Sequence, residues 1–317
     1  MKFDGHKEKT YTDYWNNFSS KPKKRKIISK FLRKIKKKIT SATGYHLNIS
    51  FRRKSEIIDG SFSSFQNNNF ILNSRNLKIN EKIINFLKNF EIKFEREKIT
   101  EYIEEYQRIY FNSPVKYLGS GFSFNEGIFL FCILKIIKPT DVVESGIMRG
   151  FSTYIIDKAT TDDCLIHCYD ISFDKIEFKS KKAVYNNCDI TKSPPVFKGK
   201  IPFALWDDHV SQLDRLKFSL KNKIKFNIFD DDLSFLNFHS DGWPPIPTIN
   251  MIKESNKEIL ELDKINWISE NRKGEMILEQ IRKFNYTDVV NHHELFPEIF
   301  DVTGYKNHSQ TSFLITK

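Results

Sequence analysis

The chain has 317 residues, of which 39% are hydrophobic and 29% are charged, and its formal net charge is +11. A chain of this length and composition can bury a full core, as one large domain or as two smaller ones. No apolar run reaches the roughly 20 residues that span a bilayer, and the N-terminal residues lack the apolar core of a secretory signal. We therefore expect a cytoplasmic protein.

The four cysteines have no CxxC spacing and lie in apolar segments: Cys132, Cys164, Cys168 and Cys188. We expect buried free thiols, as in a reducing compartment. A zinc site built on Cys164, His167 and Cys168 is the less favoured interpretation, because His167 and Cys168 face opposite sides of a strand.

Most of the net charge lies in one segment. Residues 21–38 contain 11 lysines and arginines and no acidic residue, so the rest of the chain is nearly neutral. Apolar residues recur there at helical spacing: Ile28, Phe31, Leu32, Ile35 and Ile39. We interpret residues 1–45 as a basic amphipathic arm in which residues 21–39 bind an anionic membrane surface, which would place the protein peripherally at the inner membrane face. Nucleic acid is a less favoured partner, and a solvated basic tail is the remaining alternative.

Residues 46–116 form a predicted extension that is irregular up to about residue 78 and helical from 80 to 110. The helical part has two amphipathic stretches, with apolar residues at Ile83, Phe86, Leu87 and Phe90 and then at Ile99, Tyr102, Ile103, Tyr106 and Ile109. We expect these helices to pack against, or over the mouth of, the domain that follows.

From residue 117 to 317, strands alternate with helices. Strands are predicted at 142–143, 164–169, 183–186, 203–206 and 226–229, with helices at 128–137, 152–159 and 210–222. Helices at 248–262 and 272–284 and short strands at 287–291 and 311–316 complete the chain. This alternation predicts an α/β domain, a doubly wound, mostly parallel, seven-stranded Rossmann-like sheet with helices on both faces.

The first predicted strand runs into a loop that contains Gly146 and Gly150, and a helix follows near Ser152. Glycines let a ligand approach the backbone closely, and a helix start favours an anionic group. Asp170 lies 20 residues beyond Gly150, at the end of the next strand. A carboxylate at that distance can hold ribose hydroxyls, so the pattern predicts a nucleoside-cofactor site. A tight structural turn is the alternative reading of the glycines.

Acidic residues and one histidine follow the predicted strands: Glu144, Asp170, Asp189, Asp207, Asp208, His209, Asp230, Asp231 and Asp232. Because the carboxyl ends of parallel strands meet at one edge of a sheet, these acids should share a crevice. Their mutual repulsion favours a bound divalent cation with oxygen ligands. Helix capping explains single aspartates at such positions, but it explains the consecutive ones less well.

The segments 121–127 (GFSFNEG) and 143–153 (VESGIMRGFST) resemble the opening of the cation-dependent class I O-methyltransferases, which include the catechol and caffeoyl-coenzyme A types. The chain also resembles the cephalosporin-hydroxylase-like and sugar O-methyltransferase branch of that superfamily, which is associated with polysaccharide modification. The resemblance covers roughly residues 117–235. It implies the methyltransferase version of the Rossmann-like sheet.

The resemblance implies S-adenosylmethionine as cofactor and Mg²⁺ as an assisting metal. By position, the cofactor would contact Glu144, Gly146, Gly150, Ser152, Asp170 and Asp189. The metal would be held by Asp208, Asp231 and Asp232. Mg²⁺ would orient two substrate oxygens and lower the pKa of the attacking hydroxyl. Positioning for in-line methyl transfer would supply much of the rate.

The chain departs from the family at some of these positions. Ser211 stands where the catechol type has a lysine, so His209 is the candidate general base. Asp208 is the second candidate catalytic residue. Asp232 stands where the family has asparagine. Trp243 and its neighbouring prolines would stack on a sugar or anchor a loop.

The sequence therefore predicts an S-adenosylmethionine-dependent, Mg²⁺-assisted O-methyltransferase acting on a glycan or other small hydroxylated acceptor. An NAD-type oxidoreductase is one alternative, although the spacing Gly146-x-x-x-Gly150 is not the expected GxGxxG. A non-catalytic, membrane-associated binding module that retains the fold is another. A homo-oligomer is compatible with the sequence.

Overall fold

The computed structural model describes residues 69–115, 122–236, 244–269 and 272–317. A seven-stranded sheet in the order β3-β2-β1-β4-β5-β9-β8 forms the centre of the described part. Its strands are β1 (Asp141–Ser145), β2 (Leu165–Tyr169), β3 (Ala183–Asn186), β4 (Pro202–Trp206), β5 (Phe226–Phe229), β8 (Val290–Leu295) and β9 (Ser312–Thr316). A separate hairpin consists of β6 (Lys264–Ser269) and β7 (Arg272–Ile277).

The first five strands of the sheet are parallel, and β9 and β8 add an antiparallel edge. Strand β1 lies in the middle, paired with β2 on one side and β4 on the other. All five residues of both β1 and β4 are buried, as expected for central strands covered on both faces. The predicted fold class, a mostly parallel seven-stranded α/β sheet, is therefore confirmed.

The helices have the following bounds: α1 (Asn69–Lys88), α2 (Arg96–Phe111), α3 (Phe124–Ile137), α4 (Phe151–Ala159), α5 (Gln212–Lys221), α6 (Ile249–Glu254), α7 (Lys257–Glu261), α8 (Glu279–Arg282), α9 (Tyr286–Val289) and α10 (Phe300–Thr303). Helix α3 begins with a capping box, in which Ser123 accepts from the helix start and Glu126 accepts from the backbone of Ser123. Eleven of its residues are buried, so α3 is a central core helix rather than an amphipathic surface helix.

Helices α1 and α2 contain the two predicted amphipathic stretches, and they pack into the same core as the sheet. Helix α1 begins at Asn69, so the prediction of irregular structure up to about residue 78 is wrong for residues 69–78. Phe86 of α1 lies with its ring centre 5.3 Å from that of Phe129 on α3 and 5.4 Å from that of Phe296. Tyr106 of α2 donates a hydrogen bond to the carbonyl of Phe124 at 3.0 Å. The two helices thus fix the start of α3, which leads into β1.

The C-terminal third differs from the prediction. Residues 272–284 are not one helix, because 272–277 form a strand that pairs with β6 and only Glu279–Arg282 is helical. The predicted helix 248–262 is divided into α6 and α7. The strand predicted at 287–291 begins at Val290, after the short helix α9.

Several predictions lie partly or wholly outside the described residues. These include the basic arm 1–45 with its membrane-binding segment 21–39, residues 46–68 of the extension, and Trp243. The division at residues 116 and 117 and the oligomeric state stay predictions. Among the described residues, no helix is both long enough and apolar enough to cross a bilayer.

The predicted free thiols are confirmed, since all four cysteines are unbonded and three of them are buried. His167 lies 3.4 Å from the Asp141 carboxylate, and Cys168 contacts Glu144. The two side chains therefore have different carboxylate neighbours.

Candidate active site

The glycine loop after β1 is packed against protein backbone. Gly146 has φ +91°, and a Cβ there would lie 2.0 Å from the carbonyl oxygen of Asp207, which follows β4. Gly150 has φ +84°, and a Cβ there would lie 2.5 Å from the carbonyl oxygen of Phe178. Both glycines are therefore required by the positive φ and by neighbouring main chain. The alternative of a tight structural turn therefore accounts for the backbone at both glycines, and the close approach of a ligand stays a prediction.

Asp170 lies at the end of β2 and faces the glycine loop. Its Oδ2 accepts hydrogen bonds from the backbone N–H groups of Ile147 at 2.8 Å and Met148 at 3.1 Å. Its Oδ1 accepts from the N–H of Ser172 at 3.0 Å. The carboxylate is therefore already oriented by the loop, at the edge where the sequence predicted ribose hydroxyls.

Glu144 is fully buried beneath the loop. Burial raises the pKa of its carboxyl to about 7, although contacts with Ser152, Thr153 and Cys168 act in the opposite direction. Ser152, the second residue of α4, is itself buried. These two predicted cofactor contacts thus come together, but in the interior under the loop.

A buried arginine that the sequence reasoning did not identify joins two of the predicted site acids. Arg215 on α5 is 2% exposed, and its Nε donates to Asp208 at 2.8 Å while its NH2 donates to Asp189 at 2.5 Å. Burial opposes ionisation of Asp189, but the hydrogen bonds from Arg215 and Thr191 outweigh it and lower the pKa of this carboxyl to about 2. Asp189 therefore carries a charge that Arg215 compensates.

Asp208 also connects β4 to β1. The hydroxyl of Ser145, the last residue of β1, donates to Asp208 Oδ2 at 2.5 Å. Strand β1 is the topological switch point of the sheet, because β2 and β3 lie on one side of it and β4 and β5 on the other. In open α/β sheets the ligand crevice lies at this switch point. The Ser145–Asp208 contact lies at this switch point.

Three further carboxyl groups lie close together beside this point. Burial, followed by the charges of Asp230 and Asp231, raises the pKa of Asp207 well above its usual value. Burial and Asp230 likewise raise the pKa of Glu126 to about 8. Asp230 accepts hydrogen bonds from the hydroxyls of Ser309 and Thr311 at 2.7 and 2.6 Å. Glu126 and Asp207 are therefore harder to ionise than free carboxyl groups.

Two residues after β4 and β5 adopt unusual backbone conformations. His209 has φ +56° and Asp231 has φ +54°, which is uncommon for residues other than glycine. The Nδ1 of His209 lies 3.5 Å from Asp231 Oδ2, and the His209 side chain is 44% exposed. Such strain concentrates at functional sites. The pair gives one accessible imidazole next to an oriented carboxylate.

The predicted metal ligands do not come together as a set. Asp232 is fully buried; its Oδ2 lies 2.7 Å from the Nε2 of His293, and its Oδ1 accepts from the N–H of Asn250 at 2.6 Å. Asp208 is occupied by Arg215 and Ser145, as described above. Within the described ranges, no group of three or more His, Cys, Asp or Glu side chains could hold a metal ion. The donor set therefore does not fit the predicted Mg²⁺ site.

A small half-open cleft lies at the ends of β4 and β5. Its lining residues are Trp206, Asp207, Asp208, His209, Val210, Gln212, Asp230, Asp231 and Pro245. The cleft thus includes Asp208 and Asp231 but not Asp232, and His209 lies on its rim. Four of the five acids that follow β4 and β5 therefore line this cleft, and Asp232 does not.

Comparison with known proteins gives distant structural likenesses. No protein-family model matches the sequence, and no curated protein matches it. The O-methyltransferase TomG from Streptomyces achromogenes, in complex with SAM, shares 13% identity over 73% of this chain and 95% of its own, with a TM-score of 0.37. An O-methyltransferase from Bacillus cereus in complex with SAH shares 12% identity over 74% of this chain and 96% of its own, with a TM-score of 0.35.

A third similar structure is CmcI with SAH, at 14% identity, which covers 38% of this chain and 67% of its own with a TM-score of 0.34. The chain spans 49% of the length of CmcI with Mg and SAM. Each of these TM-scores is below 0.5.

Proposed function

We propose that the protein is an S-adenosylmethionine-dependent O-methyltransferase. One observation carries the proposal: at the switch point of the sheet, the glycine loop after β1 donates two backbone N–H groups to Asp170 after β2, and it lies against the backbone of Asp207 after β4. This is the crevice in which open α/β sheets bind nucleoside ligands. The resemblance of residues 121–127 and 143–153 to methyltransferase motifs adds the chemistry.

The residues present suit this cofactor by their charge and position. Asp170 would hold the ribose hydroxyls, and the acids at the ends of β4 and β5 suit the positively charged sulfonium and ammonium groups. When bound, the cofactor supplies the methyl group for in-line transfer.

His209 would take the proton from the acceptor hydroxyl. Its imidazole is exposed on the rim of the cleft, and Asp231 would orient the ring and stabilise the imidazolium that forms. We propose a glycan or another small hydroxylated molecule as acceptor, on the basis of the sequence resemblance. No step in this proposal uses Mg²⁺, because Arg215 and Ser145 already engage Asp208 and His293 engages Asp232.

Calorimetric titration with S-adenosylhomocysteine tests the proposal. We expect micromolar binding to the wild type and a loss of affinity of at least tenfold in Asp170→Asn, since hydrogen bonds to a charged acceptor contribute about 1.5–3 kcal/mol. Asp174→Asn is the matched control, because Asp174 is an exposed acid of the same loop and should bind like the wild type.

Absence of binding to the wild type, with NAD⁺ binding in its place, would instead favour an oxidoreductase. Absence of both would favour the non-catalytic binding module. Equal affinities of Asp170→Asn and Asp174→Asn would remove Asp170 from the site.

A further inference from the structure

Arg215 lies between acids that belong to different strands. Asp189 follows β3 and Asp208 follows β4, and the two strands are separated in the sheet by β2 and β1. The guanidinium reaches both carboxylates and lies 5.7 Å from the centre of the Trp206 ring. With the Ser145 contact to Asp208, one hydrogen-bonded chain crosses the carboxyl edge of the sheet from β1 and β4 to β3.

The charge balance of this hydrogen-bonded group of residues depends on Arg215. Asp208 has 14% and Asp189 has 29% of its side chain exposed, while Arg215 has 2%. Partly buried carboxylates next to one another repel unless a cation or donors compensate them. The planar fork of a guanidinium can serve two carboxylates at once, which a single ammonium cannot do with the same geometry.

We propose that Arg215 is a positioning residue that fills the electrostatic role of a divalent cation at this edge of the sheet. It fixes Asp208 and Asp189 on the two sides of the cofactor crevice, so that cofactor binding needs no metal ion. The binding readout of this inference rests on the proposed methyltransferase function, but its stability readout does not.

The metal-independence is tested by titrating the wild-type protein with S-adenosylhomocysteine in EDTA and again in excess Mg²⁺. The two affinities should agree within about twofold, because the acids are already compensated. A tightening of tenfold or more with Mg²⁺ would overturn the inference, since it would show that a metal joins the site while Arg215 is in place.

The charge-compensating role is tested by a double-mutant cycle with Arg215→Met and Asp208→Asn. Methionine keeps an apolar stem and removes the charge. We expect Arg215→Met to lower the melting temperature by about 5–10 °C, because it strands two partly buried carboxylates. The double variant should regain at least half of that loss. If the double variant loses as much in melting temperature as the two single variants together, or more, Arg215 acts through packing alone.

Arg215→Lys separates positioning from folding. It keeps the charge, so its melting temperature should stay within a few degrees of the wild type, while its affinity for S-adenosylhomocysteine should fall about tenfold because one ammonium cannot hold both acids. Wild-type affinity in a folded Lys variant would overturn the positioning role. If the wild type does not bind S-adenosylhomocysteine, the methyltransferase proposal fails, and the double-mutant cycle still decides the role of Arg215.

Discussion

Replacement of Gly146 by alanine tests the close approach of the glycine loop to the end of β4. The left-handed backbone at φ +91° would itself cost about 1–2 kcal/mol with a side chain present. In addition, the new Cβ would lie 2.0 Å from the Asp207 carbonyl oxygen, a main-chain atom that cannot rotate away as a flexible side chain can. The loop and the β4 end would have to separate by roughly 1 Å to restore an ordinary contact, and shifts of that size in a site can reduce activity about 100-fold.

The matched control is Gly304→Ala. Gly304 also has a left-handed backbone, with φ +76°, but it caps the C-terminus of helix α10 and is not part of the glycine loop. We expect Gly304→Ala to lose about 1–2 kcal/mol in the free energy of unfolding, measured by urea denaturation, and to keep its affinity for S-adenosylhomocysteine. Gly146→Ala should lose at least about 2 kcal/mol more and bind at least tenfold more weakly. Equal losses in the two variants would refute the close approach of the loop and β4.

Three further predictions concern acids and histidines of the site. In an assay against glycan acceptors, His209→Ala should reduce methyl transfer about 10²- to 10⁴-fold and leave S-adenosylhomocysteine binding unchanged. His292→Ala is the inert control, and unchanged turnover in His209→Ala would exclude His209 as the base. Glu144 has a folded pKa of about 7 against an ordinary 4.5, so its contribution to stability is present below the lower value and is lost as the pH rises through the higher one. Glu144→Gln should therefore gain roughly 2–3 kcal/mol relative to the wild type between pH 5 and pH 8 in urea unfolding, and a constant difference would contradict the buried carboxyl. Asp232→Asn should destabilise the protein by about 3–5 kcal/mol because it removes the carboxylate that pairs with buried His293. The affinity of the folded protein for S-adenosylhomocysteine should not change. A stable variant with weakened binding would restore Asp232 to the cofactor or metal site.

The sheet was predictable from local patterns. Its five parallel strands are short apolar runs bounded by turn residues, and the predicted ranges 183–186 and 226–229 coincide with β3 and β5. The hairpin of β6 and β7 was missed. Trp267 and Met276 are buried while Ile268 and Ile277 are exposed, so the burial pattern alternates with period two. This alternation of burial is visible only in the folded structure, whereas the charged residues of 272–284 are also compatible with an exposed helix face.

The positions of the site acids were predictable, but their partners were not. The rule that ligands bind at the carboxyl ends of parallel strands correctly places Asp170, Asp208 and Asp231 at one edge. Asp232 follows directly, but the chain turns there, and its partner His293 lies 61 residues away in sequence. Only the pairing of β8 with β9 brings that histidine to it.

Arg215 could have been recognised from spacing. Gln212, Arg215 and Ser219 recur at intervals of three and four on α5, and all three are buried. A polar stripe on the inward face of a helix requires partners. Arg215 meets two acids at strand ends, whereas Gln212 bonds backbone groups and Ser219 bonds Asn227. The predicted helix at 210–222 offered no partner for the acids, so a metal ion was the expected compensating charge.

The most direct test of a cofactor site at the switch point is a crystal structure of the protein with S-adenosylhomocysteine. We predict ligand density beside the glycine loop, at the carboxyl edge of the sheet, with the ribose hydroxyls on the carboxylate of Asp170 and with Arg215 still bound to Asp208. Density at any other part of the sheet, or a ligand that leaves Asp170 without contact, would contradict the account.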